Sequence, residues 1–342
     1  MPTIKLNTGA GTTEISIPGR LEDIRRLCNP ARTILLVDEN VNRLHGQTFD
    51  GFMVIDIGSG EGSKTIDHAS WIYGELISRE VDRSWSVVGI GGGIATDLAG
   101  FIASTFLRGL NFGFVSTTLL GQVDAAIGGK NGLNYKGYKN MIGVIRQPGF
   151  VICDTELLKS LPKREFIGGF AEIIKYAAIR RPDLYPYLQN HILEATSFNN
   201  EVLTHLIRES VATKIEIVES DEHERGDRKL LNFGHTCGHA LEKRYQVSHG
   251  EAVAIGMILA GRLSVNLGMI SSGKVSGLEK LIAEAGLPVE MDFDITEIAE
   301  IMRSDKKRRG DDLQFILLED LGKAVVKSIP LNDLNAMLHD LY

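Results

Sequence analysis

Along the first 160 residues, short apolar runs alternate with stretches of helical period. The runs at 33–37, 52–57, 85–90, 112–115 and 151–153 are rich in Val, Ile and Phe and end at polar or glycine positions, which predicts buried strands. Between them, 64–80 and 95–107 repeat apolar residues every three or four positions, which predicts helices. Strands alternating with helices predict a mostly parallel, Rossmann-like α/β sheet over residues 1–160. After that the pattern changes. The segments 164–178, 200–220, 232–245, 250–267 and 274–285 read as helices, and the next convincing strand is 314–318. The expectation is a second, mainly helical domain over 161–342. No internal repeat or low-complexity tract interrupts either part.

Composition narrows the function. The 342 residues hold 37 Lys+Arg against 44 Asp+Glu, a net charge of −7, so the basic surplus of a nonspecific nucleic-acid binder is missing. At 43% hydrophobic and 24% charged, the chain can bury a core and is not of disordered type. Cys28, Cys153 and Cys237 are odd in number and scattered, which excludes a disulfide framework and suits a reducing cytoplasm. Residues 1–20 lack an apolar signal core, and Arg108 and Arg262 break the most apolar runs, so no membrane span is expected. Glycine is high at 37 and proline low at 9, which directs attention to where the glycines cluster.

One cluster is Gly89-Ile90-Gly91-Gly92-Gly93, which follows a predicted strand and opens a predicted helix. Glycines there let backbone N–H groups approach a phosphate, and the helix N-terminus adds partial positive charge. The spacing differs from G-x-G-x-x-G because Ile94 stands at the sixth position, so a tight structural turn is the alternative. A second glycine-polar stretch, 121–130, and then Lys139-Asn140 bring Asp124, Lys130 and Lys139 near flexible backbone. Such lysines suit an anionic ligand or a solvated loop.

Charged residues also intrude on apolar helices. The 164–178 segment is apolar nearly all round, yet carries Glu172 and Lys175 on one face. An internal ion pair is one reading and a metal or ligand site is the other. Lys214 falls in the apolar stripe of 200–220, where it either snorkels to water or reaches an anionic ligand. Asn232, His235 and His239 are expected along one helix face, with His249 at the start of the next helix. Three histidines and an inward-facing carboxylate suffice for a catalytic zinc with an open position. Spacing alone leaves open which of His235, His239 and His249 are ligands, and it puts Cys237 off that face.

Taken together, these segments resemble the 3-dehydroquinate synthase family. The resemblance runs from about Lys64 to Leu318. It rests on Glu61-Gly62-Ser63-Lys64, Gly91-Gly92-Gly93 with Asp97-Leu98-Ala99-Gly100-Phe101, Arg108-Gly109, Thr117-Thr118-Leu119-Leu120 and Asp124 with Gly128-Gly129-Lys130. It continues through Lys139-Asn140-Met141-Ile142-Gly143, Ala171-Glu172-Ile173-Ile174-Lys175, Arg228 with Leu231 to Thr236, and His249-Gly250-Glu251-Ala252-Val253. The resemblance implies a metal, zinc or cobalt, on Glu172, His235 and His249. It implies NAD at Asp38, Glu39, Asn40, at Glu61 through Lys64, and at Gly92, Gly93, Asp97, Thr117, Thr118 and Lys139. It assigns a sugar-phosphate substrate to Asp124, Lys130, Asn140, Lys175, Lys214, Arg228, Asn232 and His239, and to a C-terminal lysine, Lys306 or its neighbour Lys307. Glu224 and His239 become the proton-transfer candidates, and Arg108 would reach the substrate phosphate of the neighbouring subunit in a homodimer.

The implied activity is a lyase reaction of the shikimate route to aromatic amino acids. 3-Deoxy-D-arabino-heptulosonate 7-phosphate is transiently oxidised by NAD, loses phosphate, is reduced again, and closes by an intramolecular aldol step to 3-dehydroquinate. Lysines on apolar faces suit that anionic substrate in an acidic protein. A sister sugar-phosphate cyclase such as 2-deoxy-scyllo-inosose synthase is the nearest rival, but its substrate lacks the carboxylate that Lys214 and Arg228 suit. An alcohol dehydrogenase related to glycerol dehydrogenase would produce NADH and needs fewer anion-binding lysines. A non-catalytic NAD-binding protein would show damage at the metal or base positions, and none is present. Thr96, where the family usually has glycine, is expected to weaken NAD binding slightly; Gly168 holds a variable position beside the cofactor.

Overall fold

The structure, a computed structural model of the chain, describes residues 3–303, 308–309 and 312–339. The chain divides into two compact units, Met1–Leu161 with Lys214–His223, and Pro162–Thr213 with Glu224–Tyr342. The segment Lys214–His223, expected in the second domain, therefore packs with the first. Its attachment is specific: the Asn7 amide donates to Glu219 Oε1 at 2.7 Å, and the Ala10 amide and Gln147 Nε2 donate to the Glu222 carboxylate at 3.3 and 3.1 Å.

In the first unit the strands are β1 (Thr3–Thr8), β2 (Gly11–Ser16), β3 (Thr33–Val37), β4 (Met53–Asp56), β5 (Ser86–Gly91), β6 (Asn111–Ser116), β7 (Lys130–Tyr135), β8 (Tyr138–Ile145) and β9 (Phe150–Cys153). Among the described residues, seven of them form one sheet in the order β1-β2-β9-β6-β5-β3-β4, parallel except for the β1–β2 hairpin. Every residue of β3 is buried, as a central strand covered on both faces requires. The helices are α1 (Ile24–Leu27), α2 (Glu39–His45), α3 (Ile66–Ser78) and α4 (Gly93–Thr105). Leu35, Val37, Val88, Ile90, Val115 and Ile152 of neighbouring strands pack with Leu21, Ile24, Val41 and Phe49 in one core cluster. Burying each such side chain contributes roughly 1.5–3 kcal/mol. The strand order reverses between β3 and β5, which is where open α/β sheets place ligands, beyond the strand C-termini.

Two hairpins depart from expectation. The 121–130 stretch is not a plain loop: Gly121–Ala125 forms a π-helical turn, and β7 starts at Lys130 and pairs with β8. The N-terminal residues form β1 and β2, which extend the sheet.

The second unit holds α5 (Lys163–Ile179), α6 (Leu184–Thr196), α7 (Asn200–Ser220, whose residues from Lys214 belong to the first unit), α8 (His235–Tyr245), α9 (His249–Asn266), α10 (Ser272–Glu284), α11 (Ile295–Arg303) and α12 (Leu331–His339). Strands β10 (Arg308–Arg309), β11 (Asp312–Asp320) and β12 (Lys323–Pro330) form a small antiparallel sheet. Helix α5 is buried continuously from Phe166 to Ile179, as its all-round apolar sequence requires. No helix among the described residues is long and apolar enough to cross a membrane.

Candidate functional site

The first unit builds a cradle at the C-terminal ends of β3 and β5. Here the glycines are needed for close approach. A Cβ on Gly91 would lie 2.5 Å from Ala95 Cβ and 3.0 Å from Asp38 Cβ. On Gly92 it would meet Thr118 Cγ2 at 2.8 Å, and on Gly93 it would meet Ala125 Cβ at 2.9 Å. Packing thus requires the glycines, as the reading of a tight structural turn expects, and the same turn opens α4. No side chain among the described residues caps that helix, so its first N–H groups and its dipole suit a phosphate. Asp38 follows β3 and accepts the Asn40 amide at 2.9 Å, which starts α2; Glu39 and Asn40 are exposed beside it.

Lys64 is buried and central to the cradle. Its Nζ donates to Asp97 Oδ2 at 2.5 Å and to Asn140 Oδ1 at 2.6 Å. Burial pushes the Asp97 carboxyl above the ordinary range, and the Lys64 ammonium pulls against that shift. Asn134, which the sequence did not single out, links the group: its amide donates to Glu61 Oε1 at 2.5 Å and its Oδ1 accepts the Asn140 N–H at 3.0 Å. Nothing in the sequence links position 134 to the Glu61–Lys64 motif; the pairing arises only in the folded chain. Thr117 is buried, and Thr118 Oγ1 accepts the Gly121 amide at 3.0 Å. Thr96 is buried and bonds back to the Gly93 carbonyl at 3.1 Å. Lys130 and Lys139 are exposed, and Arg108 is exposed at a left-handed backbone position with φ of 65°.

Lys214 does not snorkel to water. It is buried, and its Nζ donates to the Asp124 carbonyl at 2.6 Å and to Asp124 Oδ1 at 2.7 Å. These two sequence-selected residues are thus brought together within the first unit.

The second unit brings Glu172, His235 and His249 together, with one donor atom from each within 4.8 Å of the others. Glu172, in the middle of α5, is fully buried. Its Oε1 faces His235 Nε2 at 3.6 Å and His249 Nε2 at 3.5 Å, and Lys175 Nζ lies against Oε2. Neither carboxylate oxygen has a well-formed hydrogen bond. The remaining ring nitrogens face acceptors: His235 Nδ1 lies 3.1 Å from the Phe233 carbonyl, and His249 Nδ1 lies 3.7 Å from Glu242 Oε2. That is the arrangement of metal-binding imidazoles, whose outer N–H is held so that the inner nitrogen keeps its lone pair for the ion. The residues therefore fit a divalent cation, with one carboxylate and two imidazoles. Burial opposes the charged form of His249, but the Glu172 and Glu242 carboxylates outweigh it and push its pKa up to about 9. Glu242 and the Phe233 carbonyl were not legible in the sequence, since neither belongs to a ligand-spacing pattern.

One expectation about this cluster changes. Asn232 does not share a helix with His235: it ends a 3-10 turn, Asp227–Asn232, and Gly234 with φ of 78° separates that turn from α8. Asn232 instead donates to Glu224 Oε1 at 2.7 Å. His239 lies edge-on to His235, with ring centroids 5.2 Å apart, but outside the ligand triad. The Glu172–Lys175 ion pair exists, and it exists beside the two imidazoles rather than in place of them. Arg228 is buried to 1% exposure. Lys306 and Lys307 lie outside the described residues.

An open-sheet cradle in one unit and a carboxylate–imidazole centre in the other define a class of two-unit enzymes that join a nucleotide-binding sheet to a metal-binding helical part. The family models described as 3-dehydroquinate synthase N-terminal and C-terminal match residues 54–168 and 169–308. A 3-dehydroquinate synthase of Dehalococcoides mccartyi is 41% identical over 306 residues, covering 86% of this chain and 85% of that one. One of Halorhodospira halophila is 42% identical, covering 86% of each chain. The solved structure of 2-deoxy-scyllo-inosose synthase with carbaglucose-6-phosphate, NAD+ and Co2+ superposes with a TM-score of 0.88 over 99% of this chain and 100% of that one. At 23% identity, that likeness concerns the fold. The chain belongs to the 3-dehydroquinate synthase family, whose members are lyases.

Proposed function

We propose that this chain converts 3-deoxy-D-arabino-heptulosonate 7-phosphate to 3-dehydroquinate and phosphate, by transient oxidation, phosphate elimination, reduction and intramolecular aldol closure. The observation that carries the reading is the buried Glu172 carboxylate facing two imidazole nitrogens, in a chain of this family. When bound, NAD supplies the transient oxidation and its reversal, and a divalent cation, zinc or cobalt, supplies Lewis-acid polarisation of a substrate hydroxyl.

Glu172, His235 and His249 would hold the cation. Asp38, Glu39, Asn40, Glu61, Lys64, Gly92, Gly93, Asp97, Thr117, Thr118 and Lys139 would hold the dinucleotide, with its pyrophosphate at the start of α4. Asp124, Lys130, Asn140, Lys175, Lys214, Arg228, Asn232 and His239 would hold the substrate, together with Lys306. In a protein of net charge −7, these cations bring positive charge to a ligand carrying a carboxylate and a phosphate. Burial of Lys64, Lys175, Lys214 and Arg228 strengthens each such contact by excluding water. Glu224, oriented by the Asn232 amide at 2.7 Å, and His239 would move protons. Arg108 would serve the partner's substrate in a homodimer, and the enzyme would work in the cytoplasm.

The test is phosphate release from the sugar phosphate with catalytic NAD and added zinc, with absorbance followed for NADH. Phosphate release without NADH accumulation, abolished by a chelator, is the expected result. No phosphate release, or stoichiometric NADH, overturns the reading.

A further inference from the structure

On α5, Arg164, Gly168 and Glu172 recur at four-residue intervals and so share one stripe of the helix. The first turn of α9 carries His249, Gly250 and Glu251 in succession. The two series meet in opposite order. Arg164 Nε and Nη2 donate to Glu251 Oε1 and Oε2 at 2.8 and 2.5 Å. A Cβ built on Gly250 would overlap the Gly168 carbonyl oxygen and Cα. His249 Nε2 lies 3.5 Å from Glu172 Oε1. An ion pair, a backbone-to-backbone contact and a pair of ligand candidates therefore succeed one another along one helix crossing.

We propose that Gly250 is a positioning residue for the metal centre. Its missing side chain sets the separation of α5 and α9, and with it the spacing of Glu172 and His249. Arg164 holds the rotation of α9's first turn through Glu251. The proposal rests on the metal reading of the triad given above. Glycine is a poorer helix former than alanine, and at Gly250 that cost is offset by the close approach. The Glu251 carboxylate also accepts the Ser248 N–H at 3.0 Å, so one side chain both caps α9 and ties it to α5.

The contact is asymmetric, and this makes it testable. A Cβ on Gly168 would lie 3.8 Å from Gly250 Cα, an ordinary contact, whereas a Cβ on Gly250 meets backbone that has no rotamer to change. Gly250→Ala must therefore part the helices, and Gly168→Ala need not.

Co2+ binding to the full chain, measured by chelator competition and by the visible bands of the bound ion, provides the readout, with thermal unfolding in chelator alongside. Gly250→Ala is expected to weaken Co2+ binding roughly ten- to hundredfold and to shift the bands. Gly168→Ala should bind within about twofold of the unaltered protein, with an equal or higher midpoint, because alanine is the better helix former. Arg164→Gln should lose about two- to fivefold, the range of an exposed ion pair. Wild-type affinity and spectrum in folded Gly250→Ala, or an equal loss in Gly168→Ala, overturns the proposal alone. Absence of Co2+ binding by the unaltered protein overturns the metal reading and the proposal together. If Gly250→Ala does not fold, Arg164→Gln decides: weaker binding with unchanged circular dichroism supports the proposal, and unchanged affinity overturns it.

Discussion

At the scale of single residues, the decisive group is Glu172, whose carboxylate is fully buried and meets Lys175 on one side and two imidazoles on the other. Glu172→Gln keeps the shape and removes the charge. Metal binding should be lost, and the buried Lys175 ammonium is left without its counter-ion. Breaking one side of a buried pair costs about 3–5 kcal/mol, so the metal-free variant should unfold at a distinctly lower urea midpoint than the metal-free parent. A drop below about 1 kcal/mol would mean that Lys175 draws no stability from this pair. The thiols make a second case. Burial pushes the Cys153 thiol up from 9.0 to about 12, and Cys28 up from 9.0 to about 11. The unfolded chain ionises its thiols first, so folding stability is intact below about pH 9 and is lost as pH rises from 9 towards 12. The slope is at most about 1.4 kcal/mol per pH unit for each group. Iodoacetamide should therefore label Cys153 at pH 8 only in denaturant; rapid labelling of the native protein would contradict its burial.

At the scale of elements, the parallel strands and long helices were legible because their cores are continuous in sequence. β3 is buried at every position and α5 along nearly its whole length, so apolar runs alone outline them. The missed elements are those that face water on one side. In β1 only Leu6 is buried, and Thr3, Lys5 and Asn7 are exposed. In β8 Tyr138 and Met141 are more than half exposed, so an apolar pattern there marks no core, and the turn at Lys136 and Gly137 depends on left-handed backbone. The helix expected from residue 232 failed at Gly234, whose conformation ends one turn and starts another, which spacing alone does not show. Among the ligand candidates, Glu172 was legible as charge on an apolar helix, and His235 and His249 as members of a histidine cluster; Glu242 and Asn134 were not legible, because their contacts arise only where separate elements meet. Lys214 illustrates the same limit: the Lys214–His223 segment joins the first unit through Glu219 and Glu222, neither of which belongs to a motif. Replacing both acceptors with alanine should loosen that segment and with it Lys214. If Lys214 binds substrate, KM should rise about three- to tenfold with kcat within about twofold, since a lost uniform-binding contact acts on KM. An equal fall in kcat and kcat/KM would assign Lys214 to the transition state instead.

At the scale of the whole molecule, each proposed cofactor belongs to one unit: the dinucleotide cradle at β3, β5 and α4 to the first, and the triad on α5, α8 and α9 to the second. A ligand that binds only the native state adds RT ln(1 + [L]/Kd), about 2.7 kcal/mol at a hundred times Kd. Where that stabilisation appears depends on how unfolding is partitioned. Two compact units with their own cores favour separate opening, because exchange through sub-global unfolding need not expose both. Hydrogen exchange should then show zinc slowing the amides of α5, α8 and the first turns of α9, and NAD slowing 86–97 and 37–40, each with little effect on the other set. Helix α7 supplies an internal gauge, since its residues to Thr213 belong to the second unit and those from Lys214 to the first. Protection there should divide along the same line, with zinc acting before Lys214 and NAD after it. Equal slowing of both sets by zinc alone would instead mean that the chain opens as one cooperative body. In that case metal removal by a chelator would lower the thermal midpoint of the first unit as much as that of the second.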